Sequence, residues 1–305
     1  MKNYTRKRRT NKRTRKSGCI VTQIHIPPND PQGNLSAEDK KNIVHLNVSH
    51  LRKKNPKAHI VLVGHGESPD QETIKIADDF IWEDLYEIDR EGTVIGMPAQ
   101  YKSVYKGIKK AKDLGFSRCL KTRGDSLIGR DNIVEYCENI LKSEEKKILL
   151  TQQTGYTLYK FGDCFMYGDI DLLESIWDEK NEPFHQDGLK HTGASFVKHF
   201  TQQYPPQEYS DTHILHDGMN WPQMLKKYCS FRDIPELLFC DLRWNYGYLK
   251  KDPDLAKNLS AGNFNYNDIF WGKINGWHQF SDGKLMANAR VCEWAYSQEL
   301  FYGEK

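Results

Sequence analysis

The sequence predicts an α/β fold in which a mostly parallel central sheet carries helices on both faces. Three observations predict it. Apolar, β-branched runs recur between residues 19 and 153, stretches with apolar residues at i, i+3 and i+4 alternate with them, and Pro, Gly or polar breaks separate the two kinds of segment. With 305 residues, 38% apolar and 28% charged, the chain has the composition of a folded globular protein and not of a disordered one. No internal repeat or long linker divides it, so one α/β core is expected, with a loop- and aromatic-rich C-terminal half packed onto it.

The elements follow in order. Cys19–Ile26 reads as a strand stopped by Pro27, Pro28 and Pro31. Residues 36–54 read as a helix: Ser36 with Asp39 three residues on resembles a cap, and Val44, Val48 and Leu51 share a face. Asn55-Pro56 breaks it, and His59–Val63 forms a second strand leaving through Gly64-His65-Gly66-Glu67. Asp79–Trp82 is a short third strand, followed by an acidic loop. A helix from about Pro98 carries Tyr101, Val104, Tyr105, Ile108 and Ala111, and Gly115 closes it. Phe116–Thr122 is the next strand and enters the polar turn Arg123-Gly124-Asp125. Asp131 is expected to cap a helix bearing Ile133, Val134, Cys137, Ile140 and Leu141, ahead of the strand Lys147–Thr151. Residues 154–169 are aromatic and punctuated by glycine. Asp171–Glu174 resembles a capped helix start with Leu172, Leu173, Ile176 and Trp177 facing inward. Further helical patterns lie near 192–203, 219–229 and 286–301.

Charge is unevenly distributed. Residues 1–16 hold nine Lys/Arg and no acid, so the remainder has 44 − 9 = 35 basic against 41 acidic residues, about −6. Such a tail cannot bury enough apolar area to offset its ordering entropy, and a disordered arm is expected. The remainder, 17–305, is read as one domain. Seven scattered cysteines without a CxxC pair, in a chain lacking a signal-peptide pattern, argue for reduced thiols and a cytoplasmic setting. Cys119 and Cys137 sit in strongly apolar patterns and read as core residues. No apolar run reaches the roughly 18 residues that span a bilayer.

In open α/β sheets ligands bind at the carboxyl ends of the strands, which directs attention to Gln23 and His25, Gly64–Glu67, Arg123 and Asp125, and Gln152 and Gln153. Within Lys121–Asp125, a carboxylate at a strand end suits Mg²⁺ or Mn²⁺, hard cations that take oxygen ligands shared with phosphates. The neighbouring cations would balance a diphosphate. The bland alternative is an Arg–Asp pair in a solvated turn. Asp163, between Gly162 and an aromatic stretch ending at Gly168, suits a general base beside a sugar's C–H face, or else simply caps a turn. Glu208, Asp211, His213, His216 and Asp217 bring further bases or metal ligands close together, with His216 a metal candidate. The dinucleotide GxGxxG, P-loop and GxSxG patterns are absent.

With these blocks in place, residues 18–178 resemble the WavE-type family of lipopolysaccharide-synthesis glycosyltransferases, which are GT-A-like. The resemblance rests on the order of Cys19–Ile26, the helix ending in Lys53-Lys54-Asn55-Pro56, Ala58–Val63, a helix containing Gln100 and Gly107, Leu120–Asp125 against a Lys-x-Arg-x-Asp turn, and Phe161–Asp169. It implies transfer of a hexosyl or deoxyhexosyl group from a nucleotide-diphosphate sugar to a glycan or lipid-linked saccharide hydroxyl, with inversion and with Mn²⁺ or Mg²⁺. The half 17–153 would bind the donor through Gln23, His25, Gly64, His65, Glu67, Gln100, Lys121, Arg123 and Asp125. Residues 154–305 would bind the acceptor. Asp163 would be the leading base with Glu208 and Asp211 as alternatives, and Asp125 and His216 would be the metal ligands. Arg123 stands where a strict Asp-x-Asp has its first acid, and Ala99 where Arg is expected before Gln100.

Two other classes compete. A basic arm of this density could grip nucleic acid or an anionic surface, with steep salt dependence. The acidic remainder offers no basic stripe with stacking aromatics, so nucleic acid is not the expected partner. Leaders rich in Lys, Arg and Thr also occur in proteins of large DNA viruses, which would make the setting a host cytoplasm. The third class is a glycosyltransferase-like fold that only binds carbohydrate.

Overall fold

The computed structural model describes residues 18–26, 35–83, 96–151, 164–178, 229–232, 237, 239–241 and 250–263. The strands are β1 (Cys19–Ile26), β2 (His59–Gly66), β3 (Asp79–Glu83), β4 (Arg118–Arg123), β5 (Ser126–Ile128), β6 (Ile148–Thr151), β7 (Phe165–Asp169), β8 (Cys229–Arg232) and β9 (Phe239–Asp241). The helices are α1 (Ala37–Lys54), α2 (Gln71–Ile76), α3 (Gly96–Asp113), α4 (Ile133–Glu144), α5 (Ile170–Trp177) and α6 (Pro253–Ser260).

Seven strands form one sheet in the order β3-β2-β1-β4-β7-β6-β8, and β5 pairs with β9 in a separate ribbon. β7 is antiparallel to both of its neighbours, and every other pairing in the large sheet is parallel. The α/β expectation holds, and the reversed β7 is the feature that the aromatic, glycine-punctuated sequence did not show. Alternation sorts the side chains. Cys19, Val21, Val61, Val63, Cys119 and Met166 pack beneath α3 and α5, whereas Ile20, Ile60, Leu120 and Tyr167 pack against α1 and α4. Gly107 lets α3 press on the sheet: a Cβ there would lie 2.5 Å from Val21 Cγ1 and 2.8 Å from Val63 Cγ1.

Local signals explain several boundaries. Ser36 and Asp39 form a reciprocal capping box, the Asp39 amide donating to Ser36 Oγ (3.1 Å) and the Ser36 amide to Asp39 Oδ2 (3.2 Å). Gly115, φ +83°, ends α3 in the left-handed region. The start of α4 differs from expectation. Its N-cap is Asn132, which makes no side-chain cap bond, while Asp131 pairs with Lys54. The capping acceptor comes from Asn55 at the end of α1, whose Oδ1 accepts from the Ile133 amide (2.8 Å) as its Nδ2 donates to Leu51 O. Asp169 precedes α5 but spends its carboxylate on Arg118 at 2.6 Å. Of the three later helical patterns, those at 192–203 and 286–301 lie outside the described residues. The pattern at 219–229 does too, except for Cys229, which opens β8.

Cys19, Cys119, Cys137, Cys164 and Cys229 are buried. Burial pushes the Cys119 thiol up to about 12 and raises Cys229 as well, which suits inert core residues. Among the described residues no helix is long and apolar enough to cross a membrane.

Candidate functional site

The chain steps outward from β1 to β2 to β3 and then returns to place β4 on the other edge of β1. This is a topological switch point, where crossovers leave the sheet on opposite sides and open a crevice beyond the carboxyl ends of the strands. At that point Gln23 of β1 is in register with Arg123 of β4, and the Gly124 amide donates to Gln23 O at 2.7 Å.

Period-two alternation brings the predicted residues onto one face. Gln23 and His25 follow Val21, His65 follows Val63, and Lys121 and Arg123 follow Cys119, all on the side covered by α3 and α5. β2 continues through Gly64 and His65 to Gly66 where a loop was expected. It does so because Ile24, His25 and Ile26 on one side and Trp82 and Glu83 on the other supply ladder partners. His25, His65 and Glu83 therefore share a row across three strands. Glu83 was missed because β3 was ended at Trp82. Lys102 binds it at 3.3 Å and Lys106 also pairs with it, one turn apart on α3. That i, i+4 lysine spacing was the available signal.

The rings of His25 and His65 stack with centroids 4.2 Å apart and planes at 20°. His65 is 1% exposed, and among the described residues neither of its ring nitrogens has a hydrogen-bond partner. Burial, together with the neighbouring His25, lowers its pKa to about 3, so the ring is neutral near pH 7. Lys121 is fully buried, its Nζ 4.5 Å from the centroid of the Trp177 ring. That is a cation–π contact which helps to hold an ammonium inside the fold.

Asp125 is 3% exposed and receives a two-pronged fork from Arg123, Nε to Oδ1 at 2.8 Å and Nη2 to Oδ2 at 2.7 Å. The turn is anchored from behind, since Asn47 Nδ2 donates to Ser126 O at 2.5 Å. Both oxygens of Asp125 already face a guanidinium, and among the described residues no three His, Cys, Asp or Glu side chains converge. The described donors alone do not make an oxygen-rich site for Mg²⁺ or Mn²⁺. The remaining candidates Asp163, Glu208, Asp211, His213, His216 and Asp217 lie outside the described residues, as do Gln152 and Gln153. Cys164 is described, and its carbonyl accepts from Thr122 Oγ1 at 3.0 Å.

Two donor candidates, Gly64 and Glu67, sit apart from this face. Gly64 seats an indole: a Cβ there would come within 2.3 Å of Ile24 O and 2.5 Å of the Trp82 ring, whose Nε1 donates to Gly66 O. Glu67, one residue beyond β2, pairs with Lys41 of α1 at 3.0 Å. Gln100 is half-buried on α3, the helix that covers the face of Gln23 and His65, and lies seven residues before Gly107 on the side of that helix turned to the sheet.

No family model and no curated protein sequence matches the chain. Among solved structures it is similar to a cytidylyltransferase from Leptospira borgpetersenii serovar Hardjo-bovis (14% identity, 83% of this chain and 91% of that one, TM-score 0.41). It is also similar to the galactosyltransferase LgtC in complex with donor and acceptor sugar analogs (10%, 92% and 95%, TM-score 0.34). A third is the glycosyltransferase GlyE of Streptococcus pneumoniae TIGR4 (10%, 93% and 64%, TM-score 0.36).

Proposed function

We propose that the chain is a GT-A-like glycosyltransferase that moves a sugar from a nucleotide-diphosphate donor to the hydroxyl of a glycan or lipid-linked saccharide, with inversion. One observation carries the reading: Gln23 and Arg123 stand in register across the switch point of a mostly parallel sheet, with the buried Asp125 fixed to Arg123. A ligand bound there meets the Arg123 guanidinium at the end of β4.

As the bond between the sugar and the diphosphate breaks, negative charge grows on the leaving group. A fixed guanidinium in a site shielded from water stabilises that charge more than it would in bulk solution. Asp125 orients the Arg123 fork, so it is assigned a positioning role there. Asp163 is the proposed base that removes the acceptor proton on the opposite side of the sugar, with Glu208 and Asp211 as the alternatives. Residues 17–153 form the donor half in this proposal and 154–305 the acceptor half. Mn²⁺ or Mg²⁺ assistance requires oxygen or nitrogen ligands beyond Asp125, His216 being the proposed one.

The test is release of nucleoside diphosphate by the purified full chain from a panel of nucleotide-diphosphate sugars, with and without Mn²⁺ or Mg²⁺. Asp125→Ala, checked for native circular dichroism, is expected to lose about 10²-fold or more in turnover. Undiminished release by that variant, or none by the wild type with any donor, refutes the proposal.

A further inference from the structure

Asn47 is a residue for which neither helix formation nor apolar burial accounts. It lies in the interior of α1 and is 0% exposed. Asn is a poorer helix former than Ala or Leu, and a buried amide costs free energy unless its polar groups are met. Around it on the buried face of α1 stand Ile43, Val44, Leu46, Val48 and Leu51. Its contacts supply the reason for an amide there. Nδ2 donates to Ser126 O at 2.5 Å, and Oδ1 accepts from Thr22 Oγ1 at 3.4 Å. A carbonyl oxygen only accepts, so the NH₂ group is the one that faces Ser126.

Both partners border the proposed donor site. Thr22 precedes Gln23 on β1, and Ser126 follows Asp125. Alternation turns Thr22 toward α1 and leaves Gln23 on the side of α3, so Asn47 reaches the turn from the face of the sheet opposite to Gln23. The Arg123–Asp125 fork lies within the turn, so it travels with the turn and does not set its place against β1. Among the described residues, two bonds on either side of Asp125 do that. The Gly124 amide donates to Gln23 O at 2.7 Å, and the Asn47 amide bridges Ser126 to Thr22. One bond alone leaves a turn free to pivot, whereas two set its angle. One turn further along α1, His50 Nε2 lies 3.1 Å from Ile128 O and extends the support along β5.

We infer that Asn47 is a positioning residue for the sugar-nucleotide site: it sets the angle at which the Arg123–Asp125 pair meets the carboxyl end of β1, without itself touching the ligand. The inference rests on the donor-site reading above and gives α1 a share in donor binding. A binding group held by a loosened support loses much of its effect, because the productive geometry is then only one of several.

The test is the donor KM for release of nucleoside diphosphate, with a panel led by UDP-glucose, GDP-mannose and dTDP-rhamnose as probes. Wild type, Asn47→Ala, Asp125→Asn and the double variant are compared as full chains. Asp125→Asn keeps one acceptor oxygen for the Arg123 fork. Asn47→Ala is expected to raise KM about three- to tenfold, the range of one lost hydrogen bond. Asp125→Asn is expected to raise it at least as much, and the double variant to match Asp125→Asn alone, because Asn47 acts through that pair. A merely structural role would not do this, since a smaller folded fraction lowers the apparent kcat and leaves KM where it was. Should Asn47→Ala fail to fold, Thr22→Val takes its place; it removes only the hydroxyl that steadies Asn47 Oδ1, and about a threefold rise is expected. A wild-type KM in the variant, or factors that multiply in the double variant, overturns the inference and leaves the donor site standing. No release by the wild type from any donor of the panel overturns both.

Discussion

Acidification from pH 7 to pH 5 is expected to destabilise the empty protein through two buried histidines. His50 and His65 are held at about 4 and about 3, against 6.5 for an unfolded chain. Burial lowers both. His50 is lowered less because its Nδ1 and Nε2 face the carbonyls of Leu259 (2.7 Å) and Ile128 (3.1 Å), which favour the charged ring, whereas His65 has no such partner. Their folded-state pKa values are depressed, so between 6.5 and about 4 the unfolded chain binds more protons, and stability falls as pH falls. Each group contributes about 1.4 kcal/mol per pH unit, so the 1.5 units from 6.5 to 5 amount to about 4 kcal/mol for the pair. The carboxylates of Asp79, Glu138 and Glu144 act in a lower window. Burial raises their pKa values, but hydrogen bonds and cations outweigh it and hold them low, so their loss begins below about pH 4. Urea unfolding midpoints at the two pH values measure the difference, and His65→Gln is expected to halve it. A wild-type midpoint that stays level from pH 7 to pH 5, or a pH slope unchanged in His65→Gln, would show that His65 protonates freely inside the fold.

Two packing predictions follow from the same geometry. Gly107→Ala drives a methyl into Val21 and Val63 beneath α3 and is expected to cost about 1–3 kcal/mol, read as a lowered urea midpoint; a neutral result would mean that α3 lifts off the sheet without penalty. Asn55→Ala removes the acceptor for the Ile133 amide, and a loss of about 2 kcal/mol with faster amide exchange in the first turn of α4 is expected. Unchanged exchange there would show that Asn132 caps the helix after all.

Much of the fold was legible because its signals are local. The Ser36–Asp39 box, the apolar spacing of α1 and α4 and the left-handed Gly115 each lie within a few residues of the boundary they set. What was hidden depended on partners far along the chain. Gly64-His65-Gly66 has the composition of a turn, and it is strand because β1 and β3 flank it. Asp131 looks like a cap, yet the cap bond comes from Asn55, 78 residues before the Ile133 amide that it serves. Nothing in Phe165–Asp169 encodes its direction. Its reversal shows only once β4 and β6 are seen on either side of it.

The candidate site illustrates the same division between parity and register. Within one strand, alternation already assigns Gln23 and His25 to the face of Val21, and Lys121 and Arg123 to the face of Cys119. It does not say which residue of the next strand stands alongside, and a slip of one position would turn His65 to the opposite face of the sheet. The structure fixes that register as His25 to His65 to Glu83 and Gln23 to Arg123. Residues from four strands thereby share one face, which carries a buried ring whose nitrogens have no hydrogen-bond partner among the described residues. A reading of strand ends one at a time finds the residues. Only their common row explains why Glu83, absent from any motif, belongs with them.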